Sequence, residues 1–394
     1  MKLTPIGELT KRIAALQELM QQKSIDGALI MENTDMFYFA GTTQRSHLFI
    51  PATGKPVLMV KKSFARAQQE SALEEIIPLA NVKDLPKTLS DYGYHNITTL
   101  GLELDVVPVT LFQLYQKLFT NLQLVDISGL IRAIRMVKSA YELELLKDAA
   151  QLNYTFFSQV KNYLKEGISE LEFAGQLEAV YRLGGHEGVV RMRGFNQDVS
   201  YGHILSGSNG AIPSSMDSPT GGPGVSIAFP QGAGYKKIAR NEPVMIDYVA
   251  VKDGYLADQT RIFCLGQLSV KLVQAYEITR RIHEVVQKMA VPGVKCEDVY
   301  RQAINIANES DYSGYFMGYP EPVPFLGHGV GIELNEWPVL APGFKIPLEK
   351  GMVIAIEPKF IFPEGVVGLE NTYVVGENGL ETLTLFDEGI IYLQ

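Results

Sequence analysis

Five residues in the C-terminal half, Asp247, Asp258, His328, Glu357 and Glu370, combine four carboxylates with one imidazole. These are donors that first-row divalent metals accept. The stretch VMIDYVAVKDGYLADQTRIF reads as two strands joined at Asp253-Gly254, a dipeptide that favours a two-residue hairpin turn. With that turn Asp258 lies opposite Val249, so Asp247 and Asp258 become diagonal neighbours on one face. GMVIAIEPKFIFPEGVVGLENTYVV repeats the parity. A two-residue turn near Pro363 to Gly365 puts Glu357 and Glu370 on one face, unless a bulge intervenes. His328 stands between glycines in FLGHGVGIELNEWP, where the backbone can approach something closely and the imidazole stays free to bind a metal. Singly, each acid is an ordinary surface residue. Gathered on matched hairpins they would repel one another, and two divalent cations would balance the four charges. The chemistry so implied is that of a metallohydrolase.

The elements that must position these groups fall into two α/β domains. At 394 residues the chain exceeds what one hydrophobic core usually organises. Residues 1 to about 130 alternate helical and strand-like runs: a helix at 9–23, then DGALIM (26–31), FYFAG (37–41), the hairpin HLFIPATGKPVLMVK (47–61) and TTLGLEL (98–104). IRAIRMVKSAYE leads into a long stretch of helical spacing, which places the boundary near Lys138 and gives domains of 1–135 and 136–394. The second domain states one pattern twice. A long helix, a helix opened by a Ser169/Glu172 capping box, a strand near 200–205 and a hairpin at 244–263 are followed by helices at 270–290 and 297–309, a strand near 328–334 and a hairpin at 352–375.

Composition narrows the partners. A net charge of −9 with no Lys/Arg cluster argues against nucleic acid or an anionic membrane. No segment approaches the roughly 18 apolar residues needed to span a bilayer. The N-terminal stretch is a charged amphipathic helix and lacks the apolar centre of a signal peptide. Cys264 and Cys296 are too few for a disulfide framework and too far apart for a metal pair, and read as reduced core thiols of a cytoplasmic protein.

These blocks, in this order, resemble the pita-bread metallopeptidases, the group of prolidase, aminopeptidase P, methionine aminopeptidase and the metal-free creatinase. DGALIM with FYFAG is similar to the N-terminal domain of the prolidase and creatinase branch, and IRMVKSAYE to its interdomain entry. DYVAVKDGYLADQTRIF, GHGVGIELNEWP and GMVIAIEP are similar to its catalytic blocks. The resemblance implies a two-domain α/β chain ending in a pita-bread domain with a dinuclear site. Asp247 would chelate one ion, Asp258 and Glu370 would bridge both, and His328 and Glu357 would bind the second. Glu357 is also the group expected to take the proton of the attacking water. Manganese, cobalt, iron and zinc all suit such a ligand set. A homodimer is implied as well.

Four positions depart from the family pattern. Ser214 and Asn335 stand where histidines usually contact the substrate; Gly368 stands where an arginine is common, and Asn371 where aspartate is usual. Neither Ser214 nor Asn335 can become a cation near pH 7. His203, on the strand leading into SGSN, is a candidate replacement imidazole, although a lone strand histidine is more often packed or at the surface. Arg191 and Arg193 precede it and are candidates for a substrate carboxylate. The 215–242 insertion, rich in Gly and Pro, reads equally as a pocket wall or a surface loop. The expected activity is cleavage of a small peptide by a metal-dependent aminopeptidase or dipeptidase of the Xaa-Pro kind. Two alternatives stay open: a metal-dependent hydrolase or lyase acting on a small metabolite, and a silent metal-binding homologue.

Overall fold

The computed structural model describes residues 2–394, and the chain divides into two compact units, Met1–Arg135 and Met136–Gln394. In the first, strands β1 (Gly27–Ile30), β2 (Ser46–Pro51), β3 (Val57–Val60), β4 (Ile76–Pro78), β5 (Thr99–Leu102) and β6 (Gln123–Asp126) form one sheet in the order β4-β3-β2-β1-β5-β6. Leu29, Phe49, Val57, Met59 and Leu100 from these strands share a buried cluster with Leu85, Leu89 and Tyr115 from flanking helices. The hairpin expected at 47–61 is present as β2 and β3, with Phe49 opposite Val57.

One expectation fails here. FYFAG is not strand-like; it closes the helix Asn33–Ala40. The Glu32 carboxylate accepts from the backbone N–H groups of Thr34 and Asp35 at the helix start, and Gly41, at φ 71°, ends it. A carboxylate at the start and a glycine at the end outweigh the strand preference of three aromatic and apolar residues.

The second unit carries the doubled pattern. Its first half has helices Ala140–Tyr163 and Glu170–Leu183, then β7 (Gly202–Ser206), β8 (Val244–Lys252) and β9 (Tyr255–Leu265). The capping box of Ser169 and Glu172 is complete in both directions. The second half has helices Val270–Met289 and Cys296–Asn308, then β10 (Gly327–Gly329), β11 (Glu336–Leu340), β12 (Val353–Ile356), β13 (Lys359–Phe362), β14 (Gly365–Gly368) and β15 (Asn371–Val375). With β16 (Leu380–Thr382) and β17 (Ile391–Leu393) these strands make sheets ordered β11-β10-β12-β15-β16, β13-β14 and β17-β9-β8-β7. Phe156, Tyr181 and Tyr248 pack behind β8, with ring centroids 4.0 to 5.8 Å apart.

The strand expected at 328–334 is shorter than its sequence suggested. It ends at Gly329, because the Glu336 carboxylate accepts from the backbone N–H groups of Ile332 and Glu333 and folds the chain into a turn. Cys264 and Cys296 are both buried and free. Among the described residues no helix is long and apolar enough to cross a membrane.

Candidate metal centre

The hairpin of β8 and β9 has the expected register, with Val249 opposite Asp258 and Lys252 opposite Tyr255. Its turn uses Asp253 at φ 48° and Gly254 at φ 83°, the paired positive values of a type I′ turn. The second hairpin is interrupted. Ile356 lies opposite Asn371 in one sheet and Lys359 opposite Gly368 in another, and the register is unchanged across the gap. Glu357 and Glu370 therefore face each other where the ribbon passes between sheets. A bridge from Thr260 to Glu370 ties that gap to β9. Gly327 and Gly329 hold His328 between β12 and β11: a Cβ at either would meet the backbone oxygen of Ala355 at 2.1 Å or of Trp337 at 2.2 Å. The close approach is to neighbouring strands.

The expected ligands come together. His328 Nε2 lies 3.5 Å from Glu357 Oε1 and 3.9 Å from Asp258 Oδ2. Asp258, His328 and Glu370 each offer one donor atom, all within 4.8 Å of one another. Asp258 Oδ1 and Glu370 Oε1 are buried and have no hydrogen-bond partner among the described residues. Orphaned carboxylate oxygens in the interior carry a desolvation cost that a cation between them removes. This donor set therefore fits a divalent ion.

A sixth group, a cation that the sequence motifs did not single out, lies in the same cluster. Lys359 Nζ is 2.7 Å from Glu357 Oε2, 3.0 Å from Glu370 Oε2 and 3.1 Å from Asp247 Oδ2, with its side chain 0% exposed. Two residues beyond Glu357, it has the parity to share that face. Room for its stem comes from Gly368 across the strand pair, where a Cβ would sit 2.5 Å from Lys359 Cγ.

Electrostatics follow from burial and this one ammonium. Burial, then the negative charge of Glu370 and Asp247, push Asp258 well above the usual carboxylate range. Burial raises Glu370 to about 7 although Lys359 pulls the other way. In Glu357 burial acts upward too, but Lys359 and His328 outweigh it and bring it down to about 2. Burial disfavours charge on Lys359, yet Asp247, Glu357 and Glu370 keep it protonated. The Glu357 carboxylate likewise outweighs burial at His328 and raises it. In His203 burial prevails over Asp247, and the ring is held neutral.

The expected substrate residues divide. His203 borders the cluster, with Nε2 3.6 Å from Asp247 Oδ2 and 2.9 Å from Thr220 Oγ1. Asn335 spends its amide on one backbone unit: Oδ1 accepts from the Arg193 N–H at 2.8 Å and Nδ2 donates to the Arg193 carbonyl at 2.8 Å. Ser214 Oγ donates to the Pro230 carbonyl. Arg193 faces Glu333 at 3.9 Å, and the Arg191 carbonyl accepts from Leu334. The insertion is anchored, since the buried Glu170 carboxylate accepts from Gly234, Ser206 and Asn209. Through Thr220 it reaches His203. Asn371 also has a structural explanation: its Oδ1 accepts from the fully buried Arg261, whose guanidinium also donates to the Glu370 carbonyl.

Compared with known proteins, residues 144–377 match the model of metallopeptidase family M24 and residues 12–137 that of the creatinase/prolidase N-terminal domain. A Xaa-Pro dipeptidase of Pyrococcus horikoshii is 26% identical over 97% of this chain and 99% of its own length. The uncharacterized peptidase YqhT of Bacillus subtilis is 27% identical over 97% and 100%. Among solved structures, the X-Pro aminopeptidase from Thermotoga maritima superposes with a TM-score of 0.80 at 26% identity, covering 97% of this chain and 99% of its own.

Proposed function

This chain belongs to metallopeptidase family M24, and from that premise we propose that it hydrolyses small peptides as a metal-dependent dipeptidase or aminopeptidase of the Xaa-Pro-cleaving kind. The observation that carries the reading is the triangle of Asp258, His328 and Glu370 with its two orphaned oxygens. The names of the relatives support the substrate class. Manganese, iron, cobalt and zinc all fit one histidine among carboxylates. When bound, such an ion polarises a carbonyl and acidifies a water.

The chain's own residues then divide the remaining work. Glu357 takes a proton through Oε1, because Oε2 is held by Lys359. Its depressed basicity slows that transfer relative to an unpaired carboxylate. His203, neutral and fixed by Thr220, supplies the imidazole that Ser214 and Asn335 lack. The insertion, through Thr220, walls the substrate side of the site. A cytoplasmic homodimer completes the proposal: the cysteines are free, and the dimer rests on family resemblance.

The test is proline release from a panel of Xaa-Pro dipeptides after chelation and repletion with each metal. Metal-dependent turnover, abolished by Asp258→Asn, is expected. Metal binding without turnover of any peptide would transfer the site to the small-metabolite reading.

A further inference from the structure

We propose that Lys359 is a built-in cation that takes one of the two cation positions in the carboxylate cluster, so that the chain holds one divalent ion where its family resemblance implies two. The proposal rests on the reading that this cluster binds metal at all, and it concerns how many ions enter and where.

Three observations carry it. The first is which oxygens are taken. Lys359 Nζ contacts Asp247 Oδ2, Glu357 Oε2 and Glu370 Oε2, the atoms a second ion beside Asp247 would need. Of the oxygens left over, Asp258 Oδ1 and Glu370 Oε1 are buried with no hydrogen-bond partner among the described residues. They belong to the Asp258, His328 and Glu370 triangle. The ammonium thus satisfies one side of the cluster, and the buried oxygens on the other side are those a divalent ion would bind.

The second is charge. Four carboxylates, the lysine and one divalent ion sum to −1, whereas a second divalent ion brings the sum to +1 and sets three cations against one another in a buried site. Like charges at this spacing in a poorly screened interior repel strongly. The third is that the lysine is built in. Its side chain is fully buried, its carbonyl accepts from the Met317 N–H, and Gly368 leaves the gap through which its stem passes.

The experiment counts ions. Purified full-length protein is stripped, dialysed against excess Mn²⁺, and its content measured by elemental analysis, with anomalous diffraction from Mn²⁺-soaked crystals giving positions. The wild type is expected to hold one ion per chain, at the Asp258, His328 and Glu370 triangle, and Lys359→Ala to hold two. Two ions in the wild type would overturn the proposal while leaving the metallopeptidase reading intact. One ion in both proteins would overturn it as well, since the lysine would then be displacing nothing. No ion in either would refute the metal-binding reading itself. If Lys359→Ala does not fold, Lys359→Met takes its place in the same count, with the same outcomes expected.

Discussion

Asn335 holds the backbone of Arg193 with both ends of its amide, which changes what a substitution there tests. Asn335→Ala should cost about 1–3 kcal/mol, because it removes two hydrogen bonds and strands a peptide unit. Urea denaturation would measure it. For the same reason Ser214→His combined with Asn335→His is expected to give no gain in Xaa-Pro cleavage: the new rings enter positions engaged by backbone groups of Arg193 and Pro230. A rise in kcat/KM on a dipeptide panel would contradict this. Lys359→Met should destabilise the metal-free protein by about 3–5 kcal/mol, since it leaves buried carboxylates uncompensated, and Mn²⁺ should recover part of that loss in a thermal melt. At this scale the four acids and the imidazole were legible because residue type and strand parity are both written in sequence. Lys359 obeyed the same parity rule, but a lone lysine in a strand is ordinarily solvated. Only the distances show otherwise.

Hairpins convert that parity into a site. Gly254 at φ 83° makes the turn that sets Asp258 opposite Val249. Gly254→Ala should therefore cost roughly 1 kcal/mol from the unfavourable backbone conformation. Its effect on metal content should be nil if the register holds, and elemental analysis of the variant checks that. The β8–β9 register was readable because Asp-Gly fixes a two-residue turn. The break in the second ribbon was not, because it depends on which sheet each half joins, a contact between distant segments. FYFAG and the strand around His328 depart from expectation for a related reason. In both, a nearby carboxylate, Glu32 or Glu336, captured backbone N–H groups and diverted the chain.

Each unit of the molecule contains a buried histidine kept uncharged. In Met1–Arg135, burial, with Lys61 and Arg45 nearby, lowers His47 to about 4; in the other unit burial lowers His283 to about 4. Both folded values lie below the unfolded value, so the stability these rings contribute is present above about pH 6.5 and is lost as pH falls toward 4. The loss is on the order of 3 kcal/mol for each. Melting curves between pH 8 and pH 4.5 should decline below pH 6.5, and His47→Gln or His283→Gln should flatten the decline. An unchanged slope in both variants would contradict the assignment. The two α/β units and the class of chemistry followed from length, alternation and the order of motif blocks. Partition of charge inside the cluster did not, because it depends on which atoms meet.

Gly368 and Lys359 face one another across a pair of strands with no slack between them. Their order of acquisition is thereby constrained. A Cβ at 368 would meet the Pro358 carbonyl oxygen at 2.8 Å as well as Lys359 Cγ at 2.5 Å, so the backbone here already calls for the glycine and a lysine at 359 adds to that demand. The glycine must come first or at the same time. Relatives carrying lysine at the equivalent of 359 should therefore all carry glycine at the equivalent of 368, while the reverse pairing should be common.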